Sequence, residues 1–137
     1  EVKGIREPSD IDGIVQIVRD SAMFARTTFI SIDWSILEHI RARDADIRIG
    51  FIVETADLFD DALSRAVADP AAILDLNHEV ALKDPSVVKR AKDEDVDVVT
   101  WTVNEPDEAT RLRQAGVTGF TTDHVDRLLA WAGQEFA

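Results

Sequence analysis

A chain of 137 residues, 45% hydrophobic and with mean hydropathy near zero, has the length of one domain and the composition of a folded globular protein. Its net charge of -12 excludes unspecific binding to nucleic acid, because a polyanion gains nothing from an acidic surface. No run of about 18 apolar residues could span a membrane, and the lack of Cys removes disulfides, thiolate metal sites and cysteine nucleophiles together.

The absence of Cys suits a cytoplasmic protein. Asp supplies 18 of the 27 acids and Lys only 4 of the 15 cations, a balance that suits a high-salt host and equally a GC-rich genome. The first residue, Glu1, already stands in a strand-like run, so the chain is expected to be the interior of a longer protein.

Apolar, β-branched runs occupy residues 2–5, 28–32, 47–53, 72–76, 96–103 and 117–121, each followed by helical spacing. After the first run, Ser9 is expected to cap a helix presenting Ile11, Ile14, Val15 and Val18. Asp33 caps a second, with Ile36, Leu37 and Ile40 inward. A third shows Phe59, Ala62, Leu63, Ala66 and Val67 before Pro70 stops it. Asp84-Pro85 opens a fourth, with Val87, Val88 and Ala91. Asn104 is the expected cap of a fifth that ends at Gly116, and the last begins near Asp123.

Six βα units in one domain imply a parallel sheet covered by helices. A doubly wound open sheet would be complete with these strands, whereas a (β/α)₈ barrel would need two more units. Period alone leaves the two open. No Gly-rich phosphate loop follows any strand, which disfavours a nucleotide-binding sheet.

Both architectures bind ligands at the C-terminal ends of the strands. The runs deliver Glu1 and Lys3 there, then Ser31 and Asp33, Glu54 and Thr55, and Asp75, Asn77 and His78. Last come Trp101, Thr102 and Asn104, and Thr121, Thr122 and Asp123. Capping accounts equally for Asp33, Asn104 and Asp123, and a core position for Trp101. His39 reads as a solvated helix residue and His78 as a loop histidine bonded to backbone. The three His show no zinc spacing. Glu1 and Lys3, two apart on a strand, project side by side as either an ordinary ion pair or a ligand-holding pair.

The stretch VVTWTVNEPDEATRLRQAGVTGFTTDHVDRL, with Trp101 to Asn104, Gly116 to Gly119 and Thr122-Asp123, resembles the closing signature of the glycerophosphodiester phosphodiesterase family. EVK at the start resembles its Glu-x-Lys strand, and FISIDWSILEHIRARDADIRIGFIVE its Ser-Phe-Asp segment and the strand after it. The resemblance implies a TIM-type barrel, here lacking its first two βα units. It also implies metal-dependent hydrolysis of glycerophosphodiesters to glycerol 3-phosphate and an alcohol. It places a divalent Mg²⁺ or Ca²⁺ at Glu1, the phosphate at Lys3, and the substrate against Trp101 and Asn104.

The departures are specific. The family's His-Arg-Gly on the first strand, its Glu-x-Asp metal pair on the second and the His-Asp at the end of the hairpin that follows have no counterpart here, and His39, His78 and His124 occupy no matching position. Ile32 and Val125 stand where members often carry Phe and Pro. This chain alone is therefore expected to bind metal poorly and to hydrolyse nothing, with open sheet edges favouring a homo-oligomer. The alternative is a non-catalytic partial-barrel interaction or ligand-binding module.

Overall fold

The computed structural model describes residues 1–135. Strands β1 (Thr28–Ser31), β2 (Arg48–Val53), β3 (Ala72–Asn77), β4 (Val98–Trp101) and β5 (Gly119–Phe120) form one sheet. Neighbours are parallel throughout and follow chain order. Sequential order separates the two architectures, because a doubly wound sheet reverses direction at a switch point and a barrel does not. The fold is α/β, a partial barrel.

Among the described residues, seven α-helices accompany the sheet: α1 (Ser9–Asp20), α2 (Trp34–Arg43), α3 (Phe59–Val67), α4 (His78–Lys83), α5 (Ser86–Asp93), α6 (Pro106–Ala115) and α7 (Val125–Glu135). Asp33 caps α2 as expected, its side chain accepting from the Ser35 amide. Gly116 ends α6 at φ 111°, where the lack of a Cβ removes the steric cost of the left-handed region.

Four local expectations are corrected. Residues 2–5 are not a strand: Val2 bonds β1 through its own amide (to Ile30 O, 2.9 Å) and carbonyl (from Ser31 Oγ, 2.7 Å), and no ladder continues beyond it. Ser9 is already helical and follows Pro8, which offers no side-chain cap. Asn104 does not cap α6, because its amide group is engaged by Thr122 and Asp123 across the sheet. His78 is not in a loop but opens α4, a helix capped by Asn77.

Strand side chains alternate between two faces. One face presents Phe29, Ile49, Phe51, Val53, Leu74, Leu76 and Val98 to the helices, where Leu37, Ile40, Phe59 and Leu112 complete a single core. Each such side chain contributes about 1.5–3 kcal/mol by leaving water. The other face carries Ile30, Gly50, Ile52, Ile73 and Asp75. A Cβ on Gly50 would stand 2.8 Å from Ile30 Cγ2 and 3.0 Å from Ile73 Cγ1, so the strands pack here through a missing side chain. Away from the sheet, the buried Asp44 accepts from Arg19 Nε and from the Asp46 amide, which lowers its pKa.

Candidate active site

At the C-terminal ends of the strands, on the face away from the helices, lies a cavity of about 290 Å³. Ile30, Ile32 and Ile52 form its apolar wall, and Trp101, Thr102 and Thr121 close the opposite side. Glu1, Lys3, Glu54 and Asp75 supply its charge. A second cleft of about 330 Å³, bordered by Lys92, Asp97 and Arg113, opens at the strands' N-terminal ends, the end that parallel barrels reserve for stability.

The expected neighbours Glu1 and Lys3 do project together, with Nζ 3.7 Å from Glu1 Oε2. The Lys3 side chain nevertheless stays 81% exposed at the rim, and that of Glu1 33% exposed. Such a pair contributes little to stability and leaves the ammonium free to turn toward an anion.

Trp101 lines the cavity and is held at both ends of the residue. Its indole Nε1 donates to the Asp75 carbonyl at 3.0 Å, and its own carbonyl lies 3.0 Å from His78 Nδ1. His78 Nε2 in turn lies 4.0 Å from Glu108 Oε2. A planar apolar surface is thereby fixed beside the charged rim.

Asn104 stands behind the cavity wall. Its Oδ1 accepts from Thr122 Oγ1 and from the Asp123 amide, both at 3.0 Å, and its Nδ2 donates to Asp123 Oδ2 at 3.1 Å. These bonds clasp the segment after β4 to the segment after β5. The two polar clusters thus divide their work: Trp101, Thr102 and Thr121 face the cavity, while Asn104, Thr122 and Asp123 bind one another.

Asp75 was legible as a strand-end residue but carried no assigned role. The residue is 3% exposed, Oδ1 has no hydrogen-bond partner, and burial raises its pKa from 3.8 to about 6, with the Glu1 carboxylate adding to the rise and the Glu1 α-ammonium opposing it. A lone Asp inside the apolar run Ala72–Asn77 was the available signal. Glu1, Glu54 and Asp75 line this one cavity with hard oxygen donors, the type that Mg²⁺ or Ca²⁺ takes. Among the described residues, no three or more His, Asp or Glu are placed to hold a metal ion together.

Residues 8–127 match the model of the Glycerophosphoryl diester phosphodiesterase family. The chain belongs to that family. Trp101 and Asn104 lie within the matched residues, and Glu1 and Lys3 lie before them.

Solved structures agree on the fold. A glycerophosphodiester phosphodiesterase from Parabacteroides distasonis superposes with a TM-score of 0.78 at 18% identity, over 98% of this chain and 56% of that one. An Oleispira antarctica phosphodiesterase in complex with the product sn-glycerol-3-phosphate gives 0.79 at 17%, over 92% and 50%. A glycerophosphodiester phosphodiesterase from Thermotoga maritima gives 0.72 at 17%, over 92% and 54%. The chain thus spans about half the length of the solved relatives it matches. No curated protein sequence matches it. No helix among the described residues is long and apolar enough to cross a membrane.

Proposed function

We propose that the protein containing this chain hydrolyses glycerophosphodiesters, such as glycerophosphocholine, to glycerol 3-phosphate and an alcohol. The observation that carries this reading is a family match over residues 8–127 joined to a charged cavity at the strand ends. In it, Glu1 helps hold a divalent cation, Mg²⁺ or Ca²⁺. When bound, such an ion neutralises charge developing on the phosphoryl oxygens. Lys3 swings from the rim to the phosphate, where its ammonium acts as a mobile point charge. The Trp101 ring packs against the glycerol carbons, and Asn104 keeps the two loops behind that ring in register.

The proton-transfer groups of the family motif have no counterpart in this chain, so residues 1–137 alone turn over no substrate. The test measures glycerol 3-phosphate release from glycerophosphocholine with Mg²⁺, Ca²⁺ or EDTA. It compares this chain with a polypeptide extended upstream of Glu1. Activity confined to the extended form, and abolished by EDTA, is the expected result. Turnover by the 137-residue chain would overturn the division of labour, and silence in both would remove the phosphodiesterase reading.

A second reading is a non-catalytic module that completes its sheet against another chain. The two-residue β5 and the single-residue bridge beside β1 favour it, since both leave backbone groups at the sheet edges open to pairing. Light scattering decides it: a dimer or larger species is expected, and a monomer at high concentration removes it.

A further inference from the structure

At the junction of β3 and α4, two neighbouring side chains reach out to the strands on either side. Val53 and Leu76 are the last registered pair between β2 and β3, and Asn77 and Trp101 the last between β3 and β4. Beyond those pairs, Asn77 Nδ2 donates to the Glu54 carbonyl at 3.2 Å, and His78 Nδ1 lies 3.0 Å from the Trp101 carbonyl. A carbonyl only accepts, so the proton of the second bond sits on Nδ1. Side chains at the end of β3 thereby extend the tie between strands on both flanks.

What they hold is the cavity. Glu54 and Trp101, on the strands that flank β3, both line the space of about 290 Å³, and Asn77 and His78 stand outside it. Trp101 is bound to β3 a second time, through its indole N–H on the Asp75 carbonyl at 3.0 Å. The ring thus anchors one end of the residue and His78 the other. The His78 side chain is itself confined, 23% exposed, with the Glu108 carboxylate of α6 standing 4.0 Å from Nε2. The imidazole cannot turn without giving up its bond to the carbonyl.

An aromatic wall binds only at contact distance. A gap of about 0.5–1 Å already forfeits a quarter to a half of a dispersion contact. Freeing the Trp101 backbone by that much would weaken the grip of its ring on a ligand and leave the reacting groups where they are.

We propose that His78 is a positioning residue for ligand binding: by holding the Trp101 carbonyl it sets how closely the ring meets the occupant of the cavity, and so governs affinity and not the chemical step. This rests on the reading of the cavity as a phosphodiesterase mouth with Trp101 against the glycerol carbons, and it gives a role to a histidine that matches no histidine of the family motifs.

The test has two parts. In the 137-residue chain, above about pH 8 where an ordinary histidine is neutral, ring ¹⁵N NMR shifts should show His78 protonated at Nδ1. In the polypeptide extended upstream of Glu1, glycerophosphocholine hydrolysis is measured for wild type and variants. His78→Ala should raise KM about fivefold, the worth of one hydrogen bond, with kcat changed less than about twofold. His78→Asn keeps an N–H donor near the place of Nδ1 and should restore the wild-type KM. Trp101→Ala should raise KM by itself, and adding His78→Ala to it should raise KM no further.

An unprotonated Nδ1, a loss in kcat in place of KM, no rescue by His78→Asn, or a further rise in the Trp101→Ala background would each overturn the proposal. A KM that rises with Trp101→Ala and not with His78→Ala would remove His78 alone and leave the phosphodiesterase reading intact. No turnover in the extended wild type, beside a protonated Nδ1, would remove that reading and the binding role together.

Discussion

Replacing Asp75 by Asn exchanges a titrating group for one of the same shape that does not titrate, and the structure sets the size of the effect. In the folded chain the carboxyl's pKa stands at about 6 against an ordinary 3.8. Between those values the native state holds a proton that the unfolded state has released, so wild-type stability falls as pH rises. The fall begins near the lower value and is complete above the higher one. A gap of about two pH units at 1.36 kcal/mol each amounts to about 3 kcal/mol. With the residue 3% exposed, solvent screening takes little from that figure.

Urea unfolding of both proteins, in EDTA, at several values from about pH 4 to about pH 8 isolates this contribution. Asp75→Asn should gain about 2–3 kcal/mol on wild type across that range. The unpartnered amide adds a constant offset of either sign, so the slope carries the information. A difference between the two proteins that stays flat with pH would refute the desolvation of Asp75.

Three further outcomes follow from contacts described above. Gly50→Ala forces a methyl against Ile30 and Ile73 and should cost about 1–3 kcal/mol, read as a lower urea midpoint at unchanged slope. Thr100→Val deletes a fully buried hydroxyl with no hydrogen-bond partner and keeps the side chain's shape, so the midpoint should rise by about 1 kcal/mol; a fall would show that the hydroxyl is satisfied. Asn104→Ala breaks three bonds at the loop clasp and should cost about 1–2 kcal/mol, with amide hydrogen exchange accelerated at Asp123 and His124 but not in β2.

The runs that became β1 to β4 were readable because a strand buried on both faces is a continuous apolar stretch, as in Arg48–Val53 and Ala72–Asn77. Residues 2–5, Val-Lys-Gly-Ile, hold only two apolar residues, and a strand also needs a partner along its length, which is not a property of four residues. Helix α4 was missed because six residues show less than two turns of periodicity. Asn104 was misjudged as a cap because its partners, Thr122 and Asp123, lie 18 and 19 residues away, and a local rule cannot see them. The site itself was half legible. Chemistry at strand ends is a rule of parallel sheets, so Glu1, Lys3 and Trp101 could be nominated. That Asp75 lacks a partner depends on Ile52 and Val99 beside it, which only the register reveals.

The order of the strands also bears on synthesis. In a sheet laid down β1 to β5, each strand after β1 finds its preceding neighbour already made, and waits only for the next βα unit to cover its other edge. With one βα unit following another after about one to five seconds of elongation, each apolar edge is covered almost as soon as it appears. Pairing only between consecutive segments also keeps sequence separations short, which favours quick folding for a parallel sheet. A doubly wound sheet of equal size would leave its central strand half-paired until the chain doubled back.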